Sequence, residues 1–138
     1  MSDLIRNVKI VKGIVPIYAT TNHATTATEV NALGWSRALW VINIGAMAAT
    51  AVVTMKVQNS ATSSGTLADI TSAALTNVTS AGASKVFLID HAVSPSYPYL
   101  KLKGTCGTAR ATLGAVCVLY DRNGLVRVDH GAGQVIDL

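Results

Sequence analysis

Two Asp-His dipeptides, Asp90-His91 and Asp129-His130, are the residues of this sequence with the clearest potential for chemistry. An aspartate can orient an imidazole for proton transfer or for metal binding. Adjacent residues of an extended strand point to opposite faces, however, so neither aspartate can bond the histidine beside it. The two pairs could act together only if the fold brought them close. We therefore predict polar strand ends rather than a catalytic or metal site.

The other patterns of catalysis are missing from the sequence. Its single glutamate, Glu29, leaves any paired-carboxylate site to scattered aspartates. No Gly-x-Ser-x-Gly elbow presents a nucleophile. Gly131-Ala-Gly133 has neither the preceding strand nor the following helix of a phosphate loop. We predict that the protein is not an enzyme and needs no cofactor.

Composition indicates one folded domain. The chain has 138 residues, of which 50% are apolar and 13% are charged, so it can bury a core and is not of disordered type. The net charge of +4 comes from charges scattered singly along the chain, which argues against nucleic acid as a partner. The polar start, Met1 to Arg6, lacks the apolar run of a signal peptide, which predicts a cytoplasmic location.

Several segments have the residue pattern of β-strands. Val53, Met55 and Val57 alternate with polar residues, as expected for a strand with one buried face. Residues 112–120 are apolar on both faces, which predicts a central strand covered on both sides. The other predicted strands are Ala38–Ile44, Val52–Gln58, Leu67–Ile70, Leu75–Val78, Lys85–Asp90, Tyr99–Lys103 and Leu125–Val128, with hairpin turns at Gly107–Arg110 and Asn123-Gly124.

About eight short antiparallel strands without a good amphipathic helix predict an all-β fold, a β-sandwich or jelly roll, in one domain over residues 1–138. Pro16 cannot donate to a sheet ladder, so residues 1–18 are predicted to form an edge strand or an N-terminal arm. The glycine-containing end, residues 125–138, is predicted to form a C-terminal arm.

The two cysteines, Cys106 and Cys117, are predicted to be free and buried. If Gly107–Arg110 turns a hairpin, Cys117 lies opposite about Leu100, roughly 20 Å from Cys106 at ~3.3 Å per residue. A disulfide requires Cα atoms only about 4.4–6.8 Å apart.

The uncharged run between Arg37 and Lys56 approaches the length of a membrane span. Asn43-Ile-Gly45 in its middle and its many β-branched residues favour two strands instead. A small membrane protein is therefore the third-ranked interpretation, and we expect no membrane partner.

Tryptophan is enriched at protein interfaces but also fills cores. We predict that Trp40 lies in the core and that Trp35 contributes to an interface. The complete predicted interface consists of Arg6, Lys9, Lys12, Tyr18, Trp35, Arg127, Val135, Ile136 and Leu138.

The order of several segments resembles a known family. The segments are Gly34-Trp-Ser-Arg-Ala-Leu-Trp-Val-Ile-Asn-Ile-Gly45, Val53-Thr-Met-Lys-Val-Gln-Asn-Ser60, Leu67-Ala-Asp-Ile70, Tyr99-Leu-Lys-Leu102 with Gly104, and the strand through Val118. Over roughly residues 30–120 they are similar to the small cement or decoration proteins of tailed bacteriophages, which are jelly rolls on HK97-fold capsids. The sequence departs from that pattern at Pro98 and in its extension after Tyr120.

The resemblance implies a structural virion protein on the outer capsid surface that is assembled in the host cytoplasm. Its partners would be the major capsid protein, whose neighbouring subunits it clamps, and other copies of itself in a homodimer or homotrimer. Independently of the resemblance, arms at both termini can add strands to a neighbour's sheet edge, so we expect residues 1–18 and 125–138 to contact the capsid or a sister subunit. The alternative interpretation is a β-sandwich module of a phage tail that binds a receptor or a glycan.

Overall fold

The protein folds into two antiparallel β-sheets packed face to face. The computed structural model describes residues 7–19, 23–24 and 27–122. Its elements are β1 (Lys9–Ala19), β2 (His23–Ala24), β3 (Val30–Asn31), β4 (Trp35–Met47), β5 (Val52–Ser60), β6 (Ala68–Val78), a 3₁₀ turn (Ser80–Gly82), β7 (Lys85–Ala92), β8 (Tyr99–Gly107) and β9 (Ala111–Arg122).

The strand order is that of a jelly roll. One sheet, which we call the front sheet, has the order β1-β9-β4-β7; the back sheet has the order β2-β8-β5-β6. The short strand β3 also pairs with β8, at Tyr99 and Leu100, so β2 and β3 share one edge of the back sheet. The predicted all-β sandwich is confirmed. The strands are longer than predicted, since β4 has 13 residues and β9 has 12.

The core between the sheets follows the alternation seen in the sequence. In β5, Val53, Met55 and Val57 are at most 1% exposed, as predicted. Leu100 and Leu102 of β8, the strand beside β5 in the same sheet, are also fully buried. Burial of each such side chain contributes about 1.5–3 kcal/mol. Trp40 is also fully buried, which confirms its predicted place in the core.

The connection between β8 and β9 is not the predicted hairpin. β8 belongs to the back sheet, whereas β9 pairs with β1 and β4 in the front sheet. The turn is tight, with a bond from Ala109 N–H to the Gly107 carbonyl (2.8 Å) and a positive φ of 69° at Thr108. A turn pattern fixes a local reversal but not the sheet in which the next strand finds its partners, so the chain crosses between sheets here.

Both cysteines are free and buried, as predicted. The geometric reason differs from the expected one, because Cys106 lies on the back sheet and Cys117 on the front sheet.

Lys9–Ala19 is an edge strand of the front sheet and pairs with β9. The weak strands predicted at 67–70 and 75–78 form one irregular strand, β6. The predicted turn at Asn123-Gly124, the strand Leu125–Val128 and the arm 125–138 lie outside the described residues.

No helix in the described part of the chain has the length and apolar character required to cross a membrane.

Candidate protein-interaction surface

The outward side of the front sheet carries an unusual concentration of apolar side chains. Val86 and Leu88 are each 59% exposed, Ile10 is 51% exposed and Val116 is 40% exposed. Leu39, Val41 and Val118, which lie between them, are half-buried. We call this surface the apolar face; it consists of Ile10, Leu39, Val41, Val86, Leu88, Val116 and Val118.

The strand register makes the apolar face continuous, because directly opposed residues of antiparallel strands point to the same side. One row crosses the sheet through Val116, Val41 and Leu88, and it begins at Lys12 on β1. The next row runs from Ile10 through Val118 and Leu39. With strands about 4.8 Å apart and outward residues about 7 Å apart along each strand, the face covers on the order of a few hundred Å². Apolar patches of this size on a monomer are often functional.

The prediction that residues 112–120 are covered on both sides is wrong. Leu113, Cys117 and Leu119 of β9 are buried between the sheets, but Val116 on the other side of the strand is exposed. Apolar residues on both faces of a strand do not by themselves show that protein covers both faces. In the described structure, no further layer of the protein covers the outward side of β9. The uncovered apolar side chains therefore indicate a surface suited to a protein partner.

A network of polar side chains borders the apolar face at one end. The Tyr120 hydroxyl donates to the Asp90 carboxylate at 2.8 Å, and Arg37 Nε donates to the Tyr120 oxygen at 2.8 Å. The Arg37 guanidinium also lies 3.1 Å from Asp90 Oδ1. Burial opposes ionisation of Asp90, but the hydrogen bonds from Tyr120 and Arg37 outweigh it and lower the pKa of this carboxyl. The network thus supplies a fixed polar rim.

His91 does not take part in that rim, which confirms that Asp90 and His91 point to opposite faces. His91 lies 8% exposed against the core. Its Nε2 accepts a hydrogen bond from Trp40 Nε1 at 3.1 Å, and its Nδ1 lies 2.9 Å from the Ala92 carbonyl oxygen. These partners fix a neutral ring protonated at Nδ1. Burial lowers the pKa of His91.

Within the described ranges, no three His, Cys, Asp or Glu side chains are grouped so that they could hold a metal ion. Asp129 and His130 lie outside those ranges.

The outward side of the back sheet has the opposite character. Asp69 accepts hydrogen bonds from Lys56 and from Gln58, each at 2.6 Å. These bonds lower the pKa of Asp69. The opposed residues on β8 are polar as well, and the rows are Thr54–Thr105, Lys56–Lys103 and Gln58–Lys101. The outward side of the back sheet is therefore polar and hydrated, whereas the outward side of the front sheet is apolar.

The predicted interface residues are only partly brought together. Lys12 and Tyr18, both exposed, lie on β1 at the margin of the front sheet. Arg110 lies 5.8 Å above the Tyr18 ring. Lys9 is half-buried at the start of β1. Trp35 is only 8% exposed, with the Arg122 guanidinium 5.4 Å from its ring, which leaves little of the indole for a partner.

The remaining predicted interface residues, Arg6, Arg127, Val135, Ile136 and Leu138, lie outside the described residues. The exposed apolar residues Val86, Leu88 and Val116 were missed by sequence reasoning. The sequence does show that β4, β7 and β9 carry apolar residues on both faces. This pattern indicates an exposed apolar surface only once the three strands are known to be neighbours.

The fold and this surface define an all-β jelly-roll sandwich with one apolar and one hydrated outer side. No protein-family model matches the sequence, and no curated protein matches it. Among solved structures, the fold is similar to part of a chain from infectious bursal disease virus strain Gt, with a TM-score of 0.54 and 11% identity over 91% of this chain and 32% of that chain.

A chain from strain Gx of the same virus gives a TM-score of 0.47 and 11% identity over 92% of this chain and 33% of that one. The protein thus spans about a third of the length of these viral chains. At this identity, the similarity to the Gt chain establishes the jelly-roll fold alone.

Proposed function

We propose that this protein is a structural component of a bacteriophage particle, which binds the outer surface of the capsid and braces neighbouring major capsid subunits. The observation that carries the proposal is the apolar face of the front sheet opposite a hydrated back sheet. A sandwich with one apolar and one polar outer side is suited to lie with its apolar side on a protein surface and its polar side in solvent.

Two further observations support a virion role over other binding roles. The fold is shared with a chain from a virus, although that similarity concerns architecture only. The sequence also resembles tailed-phage cement proteins over roughly residues 30–120. In this proposal the protein assembles on the capsid in the host cytoplasm, and neither nucleic acid nor membrane is a partner.

The composition of the apolar face suits a brace. Its members are aliphatic side chains, many of them β-branched, which have few rotamers to lose when a partner covers them. Lysine and glutamate, which lose more side-chain entropy on burial, are absent from its seven positions. The Arg37–Asp90–Tyr120 network at the border can orient the partner through polar contacts without lying under the centre of the interface.

The test compares two lysine substitutions at central-strand positions. Val116→Lys places a charge in the middle of the apolar face on β9. Thr105→Lys places the same charge on the outward side of β8, the matched central strand of the back sheet. Both variants would be introduced into the genome that encodes the protein, and circular dichroism and urea unfolding of the purified chains would establish that they fold.

The measurements are the number of copies of the protein per purified particle and the temperature at which particles release their genome. We expect Val116→Lys to reduce both, and Thr105→Lys to leave both unchanged. Normal occupancy with Val116→Lys, or absence of the wild-type protein from purified particles, would overturn the proposal. Binding of the isolated wild-type protein to a glycan array, without capsid occupancy, would indicate the tail-module alternative.

A further inference from the structure

The strands at the margins of the two sheets differ in how well they are protected from pairing with another chain. A sheet edge presents unpaired N–H and C=O groups, and proteins commonly block it with proline, bulges, charges or very short strands. In the front sheet, β1 contains Pro16, and its pairing with β9 shifts register twice, between Lys12 and Ile14 and between Ile14 and Ile17. β1 is therefore a blocked edge.

Both edges of the back sheet are also blocked. The pairing of β6 with β5 shifts register twice, and Ser72 and Asn77 have positive φ angles of 66° and 54°. The opposite edge is divided between the two-residue strands β2 and β3. Neither edge offers a long regular ladder to a second chain.

β7, with eight residues, is not short, and it has neither a proline nor a bulge. It pairs with β4 without a register shift from Lys85 to Ala92, and it contains neither proline nor glycine. Within the described residues, no strand lies on its other side. The Val93 N–H donates to the Ser36 carbonyl at 2.9 Å, so the odd-numbered residues of the strand bond to β4. The backbone groups of Val86, Leu88 and Asp90 therefore point toward the open edge.

We propose that a second copy of this protein pairs with this edge, β7 against β7, in an antiparallel arrangement about a two-fold axis. Self-pairing of one strand in this way gives a closed dimer, because the same surface is used on both subunits. The two front sheets then become one continuous sheet of eight strands.

The order of charges along β7 favours this arrangement. The strand begins with Lys85 and carries Asp90 near its end. Antiparallel self-pairing keeps Lys85 away from the partner's Lys85 and keeps Asp90 away from the partner's Asp90. A parallel arrangement would instead place lysine against lysine and aspartate against aspartate, which is unfavourable.

The apolar side chains select the register. With Phe87 on the two-fold axis, Val86 lies opposite the partner's Leu88 twice, and these residues exchange backbone hydrogen bonds. A register shifted by one step would place Val86 opposite the partner's Asp90. Cross-strand apolar pairs contribute roughly 0.2–1 kcal/mol each. Val86 and Leu88 are each 59% exposed, and this seam would cover part of their exposed surface.

The dimer also joins the two apolar faces side by side, which doubles the surface available to a partner. If the proposed function holds, one dimer can contact two neighbouring capsid subunits at once; this part of the inference rests on that function, whereas the dimer itself does not.

Analytical ultracentrifugation over a range of concentrations tests the dimer. We expect the wild-type protein to sediment as two chains of 14.3 kDa each. Leu88→Pro removes an N–H that points to the open edge and spares the bonds to β4, so we expect a folded monomer. Val86→Lys keeps the backbone intact and puts a charge opposite the partner's Leu88, so we expect a weakened dimer even if Leu88→Pro fails to fold.

Val116→Lys is the matched control, since it lies in the apolar face but away from the seam, and we expect it to remain dimeric. A monomeric wild-type protein, a trimer, or a dimer unaffected by both β7 substitutions would overturn the inference. Because Val116→Lys tests capsid binding and the β7 variants test self-association, failure of one proposal is distinguishable from failure of the other.

Discussion

Replacement of His91 should destabilise the protein through the indole of Trp40 rather than through lost volume. His91→Leu keeps a buried side chain of similar size but removes the acceptor of the Trp40 Nε1–H bond, which is 3.1 Å long. Since Trp40 is fully buried, its N–H has no solvent to turn to. An unsatisfied buried donor costs about 1–3 kcal/mol, so we expect the free energy of unfolding to fall by about 2 kcal/mol.

Urea unfolding followed by far-ultraviolet circular dichroism measures this loss. With a urea dependence of about 1–3 kcal/mol per molar for a small domain, a loss of about 2 kcal/mol moves the unfolding midpoint by about 1 M. His91→Gln is the matched control, because its side-chain carbonyl can still accept from the indole, and it should lose less stability than His91→Leu.

A double-mutant cycle with Trp40→Phe isolates the interaction. Trp40→Phe alone leaves the imidazole Nε2 without a donor and creates a cavity, whereas the double variant removes both hydrogen-bonding partners. We expect the double variant to be more stable than the sum of the single losses predicts, by about 1 kcal/mol or more. Additive losses, or a His91→Leu variant within about 0.5 kcal/mol of wild type, would refute this account.

Three further predictions concern pH, thiols and one glycine. Burial lowers the pKa of His91 below 6.5 in the folded state. The unfolded chain therefore binds a proton at this histidine before the folded chain does, and the free energy of unfolding should fall as the pH drops from about 6.5 towards 5. In urea titrations at several pH values, His91→Gln should remove most of this pH dependence. Burial raises the pKa of the Cys117 thiol to about 12 and also raises that of Cys106. A thiolate-specific reagent should therefore label both cysteines slowly in the folded protein and rapidly in denaturant. Fast labelling of the folded protein would contradict their buried positions. A Cβ on Gly65 would overlap Thr62 Oγ1 and Ser60 Oγ, so Gly65→Ala should lower the thermal midpoint, while the exposed Ala61→Ser should leave it unchanged.

The strands were predictable because their signal is local. Alternation in β5 and β8 identified which side of each strand is buried, and a residue's own neighbours in sequence were sufficient for that inference. The two members of the Asp90-His91 pair were likewise separated correctly, because the two-residue period of a strand depends on nothing beyond the strand.

Pairing between strands could not be predicted in the same way. The turns after Gly107 and Met47 look like hairpin connections, yet each carries the chain from one sheet to the other. The apolar face was missed for this reason. Val116 and Leu88 lie on strands that appear buried on both sides, and only the arrangement of β9, β4 and β7 in one outer layer shows that their second side is uncovered.

The pairing of β1 with β9 has a consequence for how the chain folds during synthesis. Lys9 lies opposite Leu119, so β1, which is synthesised first, can pair only after β9 has been synthesised. β4 also forms its longest ladder with β9. The complete front sheet therefore cannot form until residue 122 has left the ribosome, whereas the β4–β7 ladder and the ladders among β5, β6 and β8 can form earlier. Pairings of such sequence separation fold slowly. Until then the edge of β4 that faces β9 stays unpaired in the nascent chain, which makes this interval the one in which chaperone binding or aggregation competes with folding.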